Sequence, residues 1–351
     1  MTSRRLLVLG IAAVAALAAG LWLAARQASP VADEARAALY PMLDAGAYSI
    51  QALHVFKAGD ARAVELKRGA MGWTVTERGG YRADATKLTQ LVRDIADAKI
   101  VEEKTADPKR YTALGVEDTS RQDAQGIRVV LTGAADNVVN LIVGHPGAGG
   151  SSRYVRRAGD KPSWLVDKRL EVPTDPDAWL DKAITDIPAD RVQSVTVALK
   201  GEKAYTVAKA SRDDASFAVE HLPKGKKLRS PMIADGFATA LTGLSLTDVQ
   251  PVSEFGPEHP DDSATVRTFD GLVVELKGWK REDKRFVALE AAFDERAAKR
   301  FETAATGAKA NPAAPDIGKE ASLLSVKTRG WVYEVPSYRY DSLFKPLKDL
   351  L

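Results

Sequence analysis

The run Leu6–Ala25 constrains this chain more than any other stretch. A helix rises about 1.5 Å per residue, so about 20 apolar residues cover the roughly 30 Å hydrocarbon core of a bilayer. Leu6–Ala25 has that length and no charge, with Arg4 and Arg5 before it and Arg26 after it. The pattern predicts a transmembrane helix over residues 6–25. Arg4 and Arg5 bias the N-terminus toward the cytoplasm, which puts the chain beyond Arg26 outside the inner membrane. Trp22 lies near the far end, where an indole suits the interface.

Two other readings compete. A cleaved signal peptide has a shorter apolar core and a small-residue cleavage site. Here the run is long, and Ala24-Ala25-Arg26-Gln27-Ala28 is a poor site. A buried core helix is rarely apolar all round so near an N-terminus. The comparison favours an uncleaved anchor over residues 1–26. The chain has no cysteine, so a lipobox lipid, disulfides and thiol chemistry are all excluded. The body beyond the anchor must be held by its core.

That body is long enough for two ordinary domains. Charged residues make up 28% and hydrophobic residues 45%, which suits a soluble globular body. The formal net charge is +3, and Arg4 and Arg5 supply two of those charges. No basic field is left to attract nucleic acid.

Residues 27–47 read as a juxtamembrane tether with Pro30, an Ala-rich helical patch, and Pro41, which disfavours helix at Tyr40. Strand-like stretches come next at Ile50–Val55, Ala63–Leu66 and Trp73–Val75. A helix succeeds them: Asp84 can cap it, and Leu88, Leu91, Val92 and Ile95 recur at helical spacing. Beyond Pro108 and Gly115, period-two alternation returns at Ile127, Val129 and Leu131, and again at Val139, Leu141 and Val143. Tyr154-Val155 and Trp164-Leu165-Val166 complete a meander, and a short helix is expected around Pro176–Ala183.

The same order of features then recurs. Ile50-Gln51-Ala52-Leu53 is matched by Val192-Gln193-Ser194-Val195, and Gly72-Trp73-Thr74-Val75 by Ser216-Phe217-Ala218-Val219. Ser230 and Pro231 open a second predicted helix with Ile233, Phe237, Leu241 and Leu244 on its apolar face. Leu114-Gly115-Val116-Glu117 is echoed by Phe255-Gly256-Pro257-Glu258. Leu272, Val274 and Leu276 repeat the alternation of Val139, Leu141 and Val143. Arg153-Tyr154-Val155 pairs with Arg285-Phe286-Val287, and Trp164-Leu165-Val166 with Trp331-Val332-Tyr333. The last pair is more widely spaced, so the second copy carries an insertion near 290–328. Phe293–Glu302 reads as a helix in it, and the Ala/Gly/Pro-rich stretch from Ala304 to Pro315 as a loop. Self-similarity in a fixed order implies two copies of one unit. The expected fold is α+β: two tandem strands-helix-strands units with antiparallel sheets, over 48–188 and 189–351, after one N-terminal transmembrane helix.

Several of these stretches, taken in order, resemble a known family. They are the apolar N-terminus, Leu39-Tyr40-Pro41, Gly72–Val75, Lys104-Thr105-Ala106-Asp107-Pro108 with Tyr111, and Leu114-Gly115. Ile142-Val143-Gly144, Tyr154-Val155-Arg156, Trp164–Asp167 and Asp186-Ile187-Pro188 also fit. The chain is similar to the bacterial membrane-anchored proteins grouped as domain of unknown function 4340. Such proteins tend to be encoded beside ABC transporter components of the gliding-motility type. The resemblance implies a single-pass protein of the bacterial inner membrane with its bulk in the periplasm. Its role would be that of a non-catalytic accessory or scaffold to a transporter permease or extracytoplasmic subunits. It supplies no catalytic residue.

The residues themselves offer little chemistry. His54, His145, His221 and His259 have no metal-ligand spacing, so neither a metal nor another cofactor is expected. Gly144-His145-Pro146-Gly147-Ala148-Gly149-Gly150-Ser151-Ser152 lacks the Lys-Ser or Lys-Thr of a phosphate-binding loop and the G-x-S-x-G of a nucleophile elbow. It reads as a hairpin connection, and as a mobile partner-contact loop through Gly144, His145, Gly147, Gly149, Gly150 and Ser151 if it has a function. Glu102-Glu103 and Asp261-Asp262 read as solvated turns, because acid/base pairs work through space. Lys224-Gly225-Lys226-Lys227 with Arg229 reads as a solvated tip, or as a contact for anionic headgroups. Trp73, Trp164 and Trp331 sit at repeated strand positions, which argues for core. The alternative function is an envelope polymer- or lipid-binding module with an aromatic-lined groove between the halves. A hydrolase would need carboxylates or Ser/His groups converging from distant segments.

Overall fold

The computed structural model of the protein describes residues 36–41, 43, 50–133, 136–256, 259–304 and 316–351. The predicted anchor Leu6–Ala25, most of the tether and the stretch 305–315 lie outside the described residues. Among the described residues, no helix is long and apolar enough to cross a membrane. The chain divides into two units, one of residues up to Arg62 with Leu88–Val172, the other of Ala63–Lys87 with Pro173–Leu351.

In the first unit, alternation builds an antiparallel sheet. Its strands are β1 (Ala52–Lys57), β5 (Ile100–Thr105), β6 (Ile127–Thr132), β7 (Asn137–Pro146), β8 (Arg153–Arg157) and β9 (Ser163–Val166), in the order β1-β6-β7-β8-β9-β5. Register aligns the apolar positions: Leu53 faces Leu131, Val55 faces Val129, and Leu131 and Val129 face Val139 and Leu141. All six are buried, and each contributes roughly 1.5–3 kcal/mol by leaving water. Asp84 Oδ1 accepts hydrogen bonds from the backbone N–H of Thr86 and Lys87 (3.0 and 3.1 Å), which starts helix α1 (Ala85–Asp97). Leu88, Leu91, Val92 and Ile95 are its buried stripe. The polar loop before β6 is pinned by buried Arg156. Its guanidinium donates to the carbonyls of Val116 (2.7 Å) and Asp160 (2.9 Å), pairs with Asp118 at 2.5 Å and lies 4.6 Å from the Tyr111 ring. A buried charge is tolerated only with its donors satisfied in this way.

In the second unit, β2 (Ala61–Gly69), β3 (Gly72–Val75) and β4 (Tyr81–Arg82) form one antiparallel ladder. β10 (Ala183–Thr185) pairs with β14 (Leu244–Ser245). The main sheet comprises β11 (Val192–Leu199), β12 (Tyr205–Ala208), β13 (Ala218–Val219), β15 (Asp248–Pro251), β16 (Asp262–Thr268), β17 (Leu272–Arg281), β18 (Lys284–Phe293) and β19 (Trp331–Glu334). Its order is β13-β12-β11-β16-β17-β18-β19-β15. Helices α3 (Val252–Phe255), α4 (Glu295–Ala304), α5 (Ile317–Thr328) and α6 (Ser337–Leu343) complete it, α2 being the short turn Tyr111–Leu114 of the first unit. Mostly antiparallel sheet with a few helices is the α+β class expected.

The helix predicted from Ser230 to Leu244 is absent. The stretch is a chain of turns with one 3-10 turn at Asp235–Phe237. Its backbone bonds run i to i−3, as from Ile233 to Ser230, Phe237 to Ala234 and Ala240 to Phe237. Gly236, Thr239, Thr242 and Gly243 are poor helix formers, and the Thr242 hydroxyl is drawn to the Ile187 carbonyl at 2.7 Å. Phe237, Leu241 and Leu244 are buried all the same. Near Pro176 the expected helix is a 3-10 turn, Pro176–Trp179.

Candidate functional site

Two concavities flank the short helix α3 in the second unit. One, of about 340 Å³, lies beside β15 and is rich in charge. Arg78 bridges two carboxylates there, Nη2 to Asp177 at 2.5 Å and Nε to Asp248 at 2.8 Å, and Lys284 Nζ meets Glu334 at 2.7 Å. The Asp177 carboxyl is lifted above its usual range by burial and by the negative charge of Asp248. Burial alone would lower the Arg78 guanidinium, but Asp248 and Asp177 together raise it. Each cation is thus already held by carboxylates of the protein. The arrangement latches the turn at Thr76–Arg78 onto the outer edge of β15, where an open strand edge would otherwise invite pairing.

The other concavity is a groove of about 310 Å³ on the outer face of the β17–β18 hairpin. Period two puts Glu275, Lys277 and Trp279 on that face of β17, and the register sets Glu290, Ala288 and Phe286 opposite them on β18. The other face of the hairpin carries core residues such as Leu276, Val287 and Leu289. Phe255, the last residue of α3, closes over the aromatic end. Its ring centre lies 5.1 Å from Trp279 and 5.2 Å from Phe286, and Val332 of β19 completes the cluster. Arg281 holds Phe255 from outside, with its guanidinium 3.6 Å from the ring and Nη2 donating to the Phe255 carbonyl at 2.8 Å. Gly256, at φ 96°, lets the chain leave the helix where a side chain would be strained. His259 and Pro260 line the rim.

The charges in the groove differ from those beside β15. Glu275 and Glu290 stand directly across the ladder from one another, an arrangement that destabilises a strand pair. Both are exposed, as is Lys277. None of the three side chains takes part in a hydrogen bond or ion pair among the described residues, and the Arg329 side of the groove adds a further cation. The groove therefore joins an apolar floor to charges available to a ligand, the composition expected of a recognition site.

The glycine-rich stretch singled out from sequence is a hairpin connection. Gly144 and His145 belong to β7, and Gly147 donates to the Ser152 carbonyl at 3.0 Å across the turn. Gly149 and Gly150 have φ of 81° and 75° and, with Ser151, form the exposed tip. His145 Nε2 lies 2.9 Å from Gln125 Oε1. Gly144 is packed tightly, since a Cβ there would sit 2.2 Å from the Leu114 carbonyl oxygen. Among the described residues, no group of three or more His, Cys, Asp or Glu side chains could hold a metal ion. Sequence reasoning passed over the groove. Its one legible signal was Trp279, an indole in phase with the polar face of an otherwise alternating strand; the closing of Phe255 over it depends on tertiary packing.

The model of the family described as Domain of unknown function (DUF4340) matches residues 73–265, more than half of the chain. The chain belongs to this family. No curated protein and no solved structure matches it. The DUF4340 match runs from β3 into β16, so it takes in parts of both units.

Proposed function

We propose that this DUF4340 protein is a non-catalytic accessory or scaffold protein of a bacterial inner membrane. Residues 6–25 anchor it in a single pass, its body lies on the periplasmic side, and it docks onto the permease or extracytoplasmic subunits of an ABC-type transporter. The observation that carries the docking reading is the aromatic groove, where apolar surface and unpaired charge are presented together. Leu6–Ala25 supports the anchor, and the family resemblance supports the transporter.

The body is two tandem copies of one α+β unit. This reading is supported by strand order: β1-β6-β7-β8-β9-β5 and β11-β16-β17-β18-β19-β15 take the same path. The sequence pairs Arg153–Val155 with Arg285–Val287 and Trp164–Val166 with Trp331–Tyr333 fall on β8 with β18 and on β9 with β19. A second function, binding of an envelope polymer or lipid, draws on the same groove, because the Trp279, Trp331 and Phe255 rings among its lining also suit a sugar face or an acyl chain.

A photo-crosslinking side chain at Lys277, on the groove floor, is expected to capture a transporter subunit in cells. The same group at Lys203, an exposed position on the β11–β12 turn, is the control. Equal capture at both positions would overturn the groove as the docking surface.

A further inference from the structure

We propose that the loop following β13 is a second contact with the bilayer, seating its cations among anionic lipid headgroups and Met232 at the edge of the acyl region. The loop is a basic stretch on an otherwise balanced body. The formal charge of the chain is +3, and Arg4, Arg5 and Arg26 account for all of it. Against that neutral background Lys224, Lys226, Lys227 and Arg229 put four cations into the six residues 224–229, with no carboxylate among them.

The fold presents these side chains instead of neutralising them. The feet of the loop are fixed. Glu220 donates its backbone N–H to the Thr206 carbonyl of β12 at 2.8 Å, and Arg229 donates its own to the Leu350 carbonyl at 2.9 Å. Between the feet, the Lys226 N–H closes a turn on the Pro223 carbonyl at 3.0 Å, and Gly225 takes the tip at φ 76°. All four cations are exposed, and among the described residues none of their side chains takes part in a hydrogen bond or ion pair. Other exposed lysines of the same unit are paired, Lys200 with Asp261 and Lys284 with Glu334. The carboxylates at this end of the sheet are Glu202, Glu220 and Asp349, all exposed and none paired with the loop. Lys203 and Lys348 stand beside them and keep the charge of this end positive. Asp235 is already engaged by the Phe217 N–H at 2.8 Å.

Charge alone fits any polyanion, and Met232 narrows the choice. It is 68% exposed, three residues past Arg229, next to exposed Pro231. Leu222 and Leu228, within the loop, are half-buried. A soluble polyanion would cover the cations and leave the Met232 side chain in water. A neutral sugar polymer would answer none of the charge. A bilayer takes both features: lipid phosphates meet the ammonium and guanidinium heads, and the long stems of Lys and Arg keep those heads in the headgroup layer while the apolar side chain enters. Each Lys or Arg at an anionic surface multiplies partitioning by roughly five, and a tethered body meets the bilayer at high effective concentration. The inference borrows the anchor reading for that proximity alone.

The chain has no cysteine, so Met232→Cys carries a single environment-sensitive fluorophore. The labelled full chain is placed in nanodiscs of phosphatidylcholine alone and of phosphatidylcholine mixed with phosphatidylglycerol. Emission is expected to move to the blue in the mixed discs only, and to return as added salt shortens the screening length. Lys226→Gln should lower the equilibrium for contact about five-fold, Lys226→Arg should leave it unchanged, and Lys224→Gln/Lys226→Gln/Lys227→Gln/Arg229→Gln should abolish it. The altered side chains are exposed and unpaired, so urea midpoints should stay native. A label at Leu323→Cys, 61% exposed on α5, should not respond.

No shift in either disc, an equal shift in both, or a shift that survives the four substitutions would overturn the proposal. Retention of the chain by both discs without a shift would leave the anchor standing and remove the loop from the membrane. Retention by the mixed discs alone, with the shift, would uphold the loop and remove the anchor. A label that responds to inorganic polyphosphate and not to the mixed discs would assign the loop to a soluble polyanion and overturn the proposal too.

Discussion

Asp262 is buried on β16 and answers to two partners at once. The Tyr340 hydroxyl donates to its Oδ2 at 2.9 Å, and Lys280 Nζ pairs with the same oxygen at 2.7 Å. Burial, with the neighbouring carboxylate, pushes the Tyr340 phenol far above its ordinary range, so it stays a donor. Tyr340→Phe removes a hydrogen bond to a charged acceptor and should cost about 1.5–3 kcal/mol. Gly278→Ala attacks the same contact sterically, because its Cβ would meet the Tyr340 oxygen and the Phe344 ring at 2.7 Å. Urea unfolding curves of both variants check this, and native midpoints would contradict it. A second residue-scale prediction concerns acid. Arg191 pairs with Asp270 at 2.8 Å and with Glu320 at 2.8 Å. Burial alone would raise the Asp270 carboxyl, but hydrogen bonds from Arg191 and Thr268 outweigh it and hold it below the usual 3.8. A depressed carboxylate stabilises the fold above its unfolded pKa and ceases to do so as pH falls through its folded value. In Arg191→Met the carboxyl keeps its burial and loses its cation, so the variant should start from a lower Tm at neutral pH and lose less of it on acidification than the native chain; an equal acid loss in both would contradict this. Neither arrangement was legible in the sequence, since Asp262 and Tyr340, like Arg191 and Glu320, meet only after the sheet has formed.

At the scale of elements, periodicity served well where one face is buried. The α1 stripe of Leu88, Leu91, Val92 and Ile95 and its Asp84 cap stand where spacing put them. So do the alternating positions of β6 and β7. It failed at 230–244, where apolar spacing at helical period is realised by turns: burial of Phe237 and Leu241 decides the pattern, while Gly236 and Gly243 decide the backbone. α5 and α6 were passed over because short, mixed segments carry weak periodicity, and α5 exposes Leu323 and Val326. The hairpin from Gly144 to Ser152 divides into two kinds of glycine. Gly144→Ala places a methyl against the Leu114 carbonyl and should cost about 1–3 kcal/mol. Gly149→Ala meets open space and should cost only the strain of its positive φ, about 1–2 kcal/mol. Thermal scans compare the two directly. If the tip touches a partner, Gly149→Ala weakens the complex and Gly144→Ala acts through stability alone; the reverse would assign the contact to the base of the hairpin.

For the whole molecule, three claims of different origin come together. Membership of the DUF4340 family rests on the match over 73–265. The α+β architecture rests on the antiparallel sheets found in both units. Anchoring and transporter association are proposals that start from Leu6–Ala25, and they make the groove meaningful, since a body tethered at a membrane meets its partner at high effective concentration. That gain lets a groove of about 310 Å³ contribute to a lasting complex without high affinity of its own. The most direct test is mass spectrometry of the protein purified from its native membrane in mild detergent, which reads the intact N-terminus and the co-purifying chains together. An anchored accessory subunit predicts residues 6–25 retained and transporter permease or extracytoplasmic subunits recovered in stoichiometric amount. Recovery of the protein alone, or from the soluble fraction with residues 6–25 removed, would contradict it.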